Sequence, residues 1–207
     1  MSEFISSTFG KISGRHGNAV AMQSKSTGKT YLRLHSVPTD PKTAKQLAHR
    51  AKFSFVNQEM SCLRNLFKIT FGGNQGVNKA ISLAFKNVTG EYPNFSFDYS
   101  KLIISTGNLN TSDLLSATKT VGTKVNFEWD PTIGFQGDDN DGVNLVFLSA
   151  ISKIGIIKQN HALRGVGNVE VELPPVWAGQ DVHCWIFFSS PDGLTNSTSQ
   201  YMGLVQL

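Results

Sequence analysis

The sequence predicts an α+β protein that is mainly β, in which a β-hairpin and a helical hairpin precede an antiparallel β-sandwich. Between residues 41 and 88, apolar residues recur at three- and four-residue steps, as in amphipathic helices. From residue 101 onward they recur at two-residue steps, and the connections are too short for crossover helices, which indicates antiparallel strands. We therefore expect two parts: a basic hairpin and two-helix region at residues 1–99, and a sandwich at residues 100–207.

The first predicted element is the β-hairpin. Two extended runs, Ala19–Ser24 and Thr30–His35, flank the turn sequence K-S-T-G-K. In the second run polar side chains alternate with leucines, so one face is apolar and the other is partly basic. The glycines upstream match neither G-x-G-x-x-G nor the full G-x-x-x-x-G-K-[ST] pattern, which argues against nucleotide binding there.

The next element is a long helix predicted from Pro41 to Phe71. Asp40 is its expected N-cap, and proline suits the first helical position because its missing N–H needs no partner there. The apolar stripe that indicates the helix is Ala44, Leu47, Ala48, Ala51, Phe55, Cys62 and Leu66. The opposite face is basic and contains Lys42, Lys45, His49 and Lys52. That face suits either simple solvation or contact with an acidic partner surface or with phosphates.

A second helix is predicted from about Asn74 to Val88. Gly72 and Gly73 separate it from the first, so the two helices are expected to pack as a helical hairpin. The segment that follows alternates aromatic and polar residues up to Tyr99, and we expect it to be a strand-like link to the sandwich.

Seven strands are predicted in the remaining residues, separated by turns rich in Gly, Pro and Asp. Their expected ranges are Leu102–Thr106, Thr123–Trp129, Val143–Ala150, Lys153–Gln159, Asn168–Leu173, Asp181–Ser189 and Gln200–Gln206. The sequence V-N-F-E-W-D-P resembles the second strand of fibronectin-type-III-like modules, so an immunoglobulin-like sandwich is expected. Trp177 and Trp185 are expected in the core or at an edge rather than in a ligand platform.

No catalytic or metal site is indicated. The cluster Asp138–Asp141 resembles a calcium loop, but an EF-hand with Gly142 at its sixth position would need a ligand where Gly137 stands. A looser cation site and a hydrated hairpin loop remain the alternatives. His183 and Cys184 are neighbours on a strand and point to opposite faces, so they cannot form a catalytic pair. We expect no enzyme activity, no cofactor and no small-molecule substrate.

The charge is divided unevenly along the chain. Residues 1–70 hold eleven Lys/Arg and three Asp/Glu, whereas residues 71–207 hold eight and twelve. This division indicates that the basic part meets something negative, and other copies of the chain are the first candidate because one chain carries both signs. The expected partner-binding residues are Lys11, Arg15, Arg33, Lys42, Lys45, Arg50 and Lys52.

Membrane and secretory signals are not visible. The apolar runs are far shorter than the roughly 20 residues that cross a bilayer, and the N-terminus resembles no signal peptide. Cys62 and Cys184 lack metal-ligand spacing and are expected to be buried thiols. We expect the protein to be cytoplasmic on synthesis and then to reside in an assembled particle.

Several motifs carry a family likeness. They are F-G-K-I-S-G-R-H-G-N, T-G-K-T-Y-L-R, D-P-K-T-A-K-Q-L-A-H-R-A-K-F, G-E-Y-P-N-F-S-F-D-Y-S-K-L-I-I-S-T-G and D-V-H-C-W-I-F-F-S-S-P-D-G-L-T-N-S-T-S-Q-Y-M-G. Together they resemble a family of Bacteroidota proteins of about this length whose function is unknown. The resemblance implies a basic front and an immunoglobulin-like rear. The N-terminal K-I-S-G-R-H-G, Y-L-R and K-T-A-K-Q sequences also resemble small structural proteins of phages that infect these bacteria.

Three functions are compatible with these features. The first is a non-enzymatic structural subunit of a phage virion or similar multi-copy particle, such as a capsid or tail component, which contacts its neighbours through the basic front. The second is a nucleic-acid-binding module that places phosphates on the basic residues and stacks bases on Tyr31 or Phe53. The third is a surface module that binds glycans or proteins through the sandwich loops.

Overall fold

The computed structural model describes residues 2–3, 13–37 and 39–207 and divides the chain into two compact units, residues 1–43 and 44–207. The smaller unit contains a four-stranded antiparallel sheet in the order β1-β4-β3-β2. Its strands are β1 (Ser2–Glu3), β2 (Gly14–His16), β3 (Ala19–Gln23) and β4 (Thr30–Leu34). Because β3 and β4 pair directly, with Ala21 opposite Leu32, the predicted hairpin is confirmed.

The larger unit begins with three helices. They are α1 (Ala44–Glu59), α2 (Arg64–Thr70) and α3 (Gly73–Ala84), and a 3₁₀ turn over Ser61–Leu63 separates the first two. The prediction of one helix from Pro41 to Phe71 is therefore wrong. At the break, the Ser61 hydroxyl donates to the Gln58 carbonyl at 2.7 Å and caps a carbonyl that a continued helix would have used. The turn also lets Met60 and Leu63 both enter the core.

The predicted helical hairpin is formed by α2 and α3. Gly72 and Gly73 join them with φ angles of 82° and 61°, which glycine adopts without strain. Gly76 lies so close to the Phe71 backbone that it has no room for a Cβ atom. The last helix ends at Ala84, and the residues after it form a two-stranded hairpin of β5 (Val88–Glu91) and β6 (Asn94–Phe97).

Seven further strands form two antiparallel sheets. They are β7 (Leu115–Lys119), β8 (Lys124–Trp129), β9 (Gly142–Ser149), β10 (Gly155–Leu163), β11 (Asn168–Glu172), β12 (Asp181–Ser189) and β13 (Gln200–Gln206). One sheet has the order β11-β8-β7 and the other the order β10-β9-β12-β13. The described residues thus form a mixed structure of helices and strands in which strands predominate, as predicted.

Six of the seven predicted strands are present, but Leu102–Thr106 is not a strand. That segment is bonded largely by side chains. The Ile104 amide donates to the Ser199 hydroxyl at 2.8 Å, and the Ile104 carbonyl accepts from the Thr70 hydroxyl at 2.7 Å. The seventh strand of the structure is instead β7, which was not predicted because its apolar alternation is weak.

In the four-stranded sheet of the larger unit, the central strands β9 and β12 are buried on both faces. On one side, Val143, Leu145 and Phe147 of β9 pack against β8 and β11 of the three-stranded sheet, in what we call the sheet-side core. On the other side, Val146 and Leu148 pack against residues of α1, α2 and α3, in the helix-side core. The larger unit therefore has three layers: helices, a four-stranded sheet and a three-stranded sheet.

The chain divides into its two compact units at residues 43/44, and the sequence-based division at residues 99/100 stays a prediction. The difference has a physical cause, because α1, α2 and α3 bury their apolar sides on the four-stranded sheet instead of only on one another. Trp177 and Trp185 both lie in the cores, as predicted.

Candidate interaction surface on the helical layer

The larger unit has opposite charges on different layers. Residues 44–87, which comprise the three helices and their turns, hold seven Lys/Arg and one Glu. Residues 88–207 hold six Lys/Arg and twelve Asp/Glu. The helical layer is therefore strongly basic and the sandwich is acidic, a distribution that favours association with surfaces of opposite sign.

The outer face of the three-stranded sheet contributes to the acidic charge. Strand β8 turns its apolar residues inward and leaves Glu128 exposed, and β11 does the same with Glu170 and Glu172. Lys124 pairs with Glu170 at 3.1 Å, an exposed contact that solvent screens and that contributes little to stability.

The basic helical layer begins on α1. Lys45, His49 and Arg50 are exposed on this helix. Two apolar residues are exposed beside them: Leu47, with 42% of its surface accessible, and Phe53, with 51%. The buried face of α1 is smaller than the predicted apolar stripe. Among the described residues of this helix, Val56 alone is fully buried.

A groove of about 370 Å³ lies between α1 and α3. Phe53 and Phe85 give it aromatic walls, and the His49 ring lies 5.3 Å from the Phe85 ring. At its other end Arg64 donates to the Asn57 side chain at 3.2 Å. The complete lining is His49, Phe53, Asn57, Arg64, Asn78, Ile81, Ser82 and Phe85. The groove combines apolar walls with cationic and amide groups, which suits an apolar ligand bearing negative charge.

The predicted partner-binding residues fall into three groups. Lys11 lies outside the described residues. Arg15, Arg33 and Lys42 are exposed on the smaller unit, and Lys45, Arg50 and Lys52 lie on α1 of the larger unit. Nothing in the structure tests their role in partner binding, which remains a prediction.

Lys52 differs from the other cations of α1. It is partly buried, its ammonium lies 4.5 Å from the centre of the Phe85 ring, and it donates to the Val88 carbonyl at 3.4 Å. Its charge therefore helps to fasten α1 to the residues that follow α3.

Four exposed cations of the helical layer were not among the predicted residues: Arg64, Lys68, Lys79 and Lys86. The sequence does indicate that the basic region extends to these four residues, because acidic residues are scarce as far as residue 87. Of the two aromatic residues proposed to stack on bases, Phe53 lines the groove, and Tyr31 is half-buried in β4.

A hydrogen-bonded cluster fastens the helical layer to the sheet. Glu59 at the end of α1 accepts hydrogen bonds from the Tyr99 hydroxyl and from Lys153, the latter at 2.6 Å. Lys153 also donates to the Tyr99 hydroxyl at 2.7 Å. Burial and the neighbouring Glu59 carboxylate raise the pKa of Tyr99 to about 12. Burial alone would lower the pKa of Lys153, but its bonds to Glu59 and Tyr99 outweigh burial and raise it.

The same cluster reaches β12 through His183. The Tyr99 ring stacks on the His183 ring with centroids 4.5 Å apart, and the imidazole Nδ1 is 2.8 Å from the Tyr201 hydroxyl. Burial and nearby Lys153 lower the pKa of His183. Cys184 points to the opposite face, into the sheet-side core, as the alternation of side chains along a strand predicts.

Replacing Tyr99 with phenylalanine is expected to lower the free energy of unfolding by about 0.5–1.5 kcal/mol at neutral pH, because its bonds to Glu59 and Lys153 are lost. The substitution should also flatten the pH dependence between about pH 10 and 12. In this range an unfolded tyrosine releases its proton while folded Tyr99 retains it, so wild-type stability falls as the pH rises.

Thermal melts of both proteins at pH 8, 10 and 11 measure this difference. The exposed Tyr92→Phe variant removes a phenol that lies outside the cluster and should behave as wild type. A Tyr99→Phe protein whose melting temperature falls as steeply as that of wild type above pH 10 would contradict the assignment.

The loop that resembled a calcium site is fixed by an arginine. Arg164 is completely buried, and its guanidinium lies 3.8 Å from the Asp141 carboxylate. Asp141 also accepts from the Asp138 amide at 3.0 Å, and Asp138 accepts from the Asn140 amide at 2.8 Å. Among the residues that the structure describes, no three His, Cys, Asp or Glu side chains are grouped as metal ligands.

The larger unit is a three-layer structure of helices and antiparallel sheets with a basic helical layer and an acidic sandwich. The model of DUF6266, a family of unknown function, matches residues 11–203, and the chain belongs to that family. No curated protein matches the chain. None of the helices in the described part of the chain is long and apolar enough to cross a membrane.

Proposed function

We propose that the protein is a non-enzymatic structural subunit of a multi-copy assembly, in which the basic helical layer of one copy contacts an acidic surface of another. The observation that carries this proposal is the charge division within the larger unit, seven Lys/Arg to one Glu in residues 44–87 and six to twelve in the remainder. A chain with both signs on separate layers is complementary to itself.

The proposal includes an immunoglobulin-like sandwich. Its support is the arrangement of strands β7 to β13, since the first, second and fifth strands form one sheet and the third, fourth, sixth and seventh form the other. Such two-sheet sandwiches of about 100 residues are common as binding and assembly modules. The location in a phage virion rests on the N-terminal sequence resemblance described above.

Nucleic-acid binding is the second candidate. It is favoured by the scarcity of acidic residues on the helical layer and by the exposed Phe53, whose ring is available to stack on a base. We favour self-association over nucleic-acid binding because the acidic sandwich lies in the same compact unit and would repel phosphates.

The test is the molar mass of the full-length protein by light scattering at about 50 mM and 500 mM salt, with and without DNA. Self-association predicts a defined oligomer without DNA whose mass decreases at the higher salt concentration. A protein that is monomeric at both salt concentrations contradicts it. A mass that increases only with DNA, and only at low salt, would support the nucleic-acid candidate instead.

Charge reversal refines this experiment. Lys45→Glu combined with Lys79→Glu places two acidic residues on the helical layer and is expected to weaken self-association by about tenfold or more. The matched control is Lys119→Glu, which reverses an exposed lysine of the sandwich and should not weaken it.

A further inference from the structure

We propose that the contact between copies is made by insertion of Phe135 of one copy into the groove between α1 and α3 of the next. This inference rests on the proposed self-association and identifies the two surfaces that meet. It follows from three features: an exposed aromatic side chain on a fixed loop, acidic groups around it, and a basic groove with aromatic walls.

The first feature is the exposure of Phe135. It lies in the loop that joins β8 to β9, and its side chain is fully accessible, at 101% of the reference value. A phenylalanine on the surface of a monomer exposes apolar area that burial in a partner would stabilise.

The loop around Phe135 is held in place on both sides. Asn110 accepts from the Gln136 amide through its side chain and donates to the Gln136 carbonyl through its backbone, both at 2.8 Å. On the other side of Phe135, a Cβ atom on Gly134 would lie 1.9 Å from the Asn110 side-chain nitrogen, so only glycine fits. Arg164 donates to the Asn110 carbonyl at 2.7 Å and fixes Asn110 in turn.

This fixation reduces the entropic cost of docking. A partner does not have to order the loop, because Asn110 already holds Gln136 by two hydrogen bonds and lies in close contact with Gly134 on the other side of Phe135. The loop therefore presents an aromatic anchor of the kind that contributes most of the binding energy at protein interfaces.

The second feature is the charge around the anchor. Asp138 and Asp139 are exposed in the same loop, and Asp130 lies at its beginning. Asp130 accepts hydrogen bonds from the Thr132 hydroxyl and amide, which lower the pKa of its carboxyl. The exposed phenylalanine is thus accompanied by three carboxylates.

The third feature is the complementary groove. Its apolar lining of Phe53, Ile81 and Phe85 can accept an aromatic ring, and His49 and Arg64 lie in the same lining. Its volume of about 370 Å³ is at the small end of ligand sites, which suits one inserted side chain better than a large ligand.

The proposal includes a heterologous contact, because the loop belongs to the sandwich and the groove to the helical layer. Each copy uses its loop toward one neighbour and its groove toward another, and repetition of such a contact builds rings or open filaments. In a symmetric dimer each anchor would enter the groove of the other copy, and wild type would then form nothing larger than a dimer.

The heterologous geometry gives a complementation test in the full-length protein at about 50 mM salt. Phe135→Ser removes the anchor and leaves the groove intact, whereas Phe53→Glu alters the groove and leaves the anchor intact. Each variant alone is expected to have a dissociation constant about 30-fold higher than wild type by sedimentation velocity. An equimolar mixture should form dimers, because one intact anchor meets one intact groove, and nothing larger.

The matched control is Val121→Ser, which removes an apolar side chain of similar exposure from the turn between β7 and β8 and should associate as wild type. If Phe135→Ser associates as wild type, the Phe135 contact is refuted while self-association stands. If the wild-type protein is monomeric, both proposals fail. If the mixture of variants forms no dimer although wild type assembles, the heterologous arrangement is refuted. Unchanged melting temperatures of both variants show that their fold is intact.

Discussion

Replacing Arg164 with methionine is expected to lower the free energy of unfolding by about 3–5 kcal/mol. The guanidinium is fully buried beside Asp141, and it donates to the carbonyls of Asn110 and Thr111 at 2.7 and 3.1 Å. Methionine fills similar space, but it leaves the Asp141 carboxylate buried without its cation and the carbonyls without donors. Urea denaturation followed by tryptophan fluorescence measures the loss.

A second substitution separates the charge from the packing. Adding Asp141→Asn to Arg164→Met removes the uncompensated carboxylate, so the double variant is expected to recover part of the lost stability. The control Lys119→Met removes an exposed cation and should change the free energy of unfolding by no more than about 0.5 kcal/mol. A loss of similarly small size for Arg164→Met would refute the role assigned to this residue.

Leu148→Ala and Leu145→Ala are expected to be equally severe, each costing about 2–5 kcal/mol. The two leucines lie on opposite faces of β9, and both are completely buried. Leu145 belongs to the sheet-side core and Leu148 to the helix-side core. The costs are similar because the helices exclude water from one face as fully as the three-stranded sheet does from the other.

The pair is its own matched control, since the same atoms are removed three residues apart on one strand. Chemical denaturation of both variants gives the comparison. Suppose that Leu145→Ala loses about 2–5 kcal/mol of unfolding free energy but Leu148→Ala loses less than about 0.5 kcal/mol. Leu148 would then behave as an exposed residue, and the helices would not cover this face of β9.

The sequence predicted most strands because their patterns are local. The run K-V-N-F-E-W of β8 alternates strictly, and in the structure one of its faces is packed while the other bears Lys124 and Glu128. The runs V-N-L-V-F-L-S and V-H-C-W-I-F-F-S are almost continuously apolar, which is typical of strands covered on both faces. The continuous apolar runs therefore indicate that another layer packs on β9 and β12, although the sequence analysis did not predict one.

The helical region was harder to predict because its shape depends on distant contacts. The break after Glu59 is stabilised by burial of Met60 and Leu63, and Gly155 of β10 lies against Leu63 with no room for a Cβ atom. Periodicity alone does not reveal such contacts. The exposure of Phe53 likewise depends on how α1 packs against α3 rather than on the pattern of α1 itself.

The candidate surface was predicted only in part. The excess of basic residues is visible in the composition of residues 1–70, but Lys79 and Lys86 lie beyond that part of the chain. The cluster of Glu59, Tyr99 and Lys153 joins residues that lie 40 and 54 positions apart, so no local motif marks it. Arg164 stood in a predicted turn, where nothing in the sequence indicates that an arginine is buried.

The helical layer and the sandwich are expected to unfold as one cooperative unit, which displays basic and acidic surfaces on different layers. Equilibrium unfolding of the full-length protein, followed by circular dichroism at 222 nm and by tryptophan fluorescence, tests it most directly. The helical signal arises largely from α1, α2 and α3, whereas the three tryptophans are buried with the sheets. We expect the two transitions to coincide at the same denaturant concentration. Loss of the helical signal before the fluorescence change would show that the helices unfold independently and would contradict the claim.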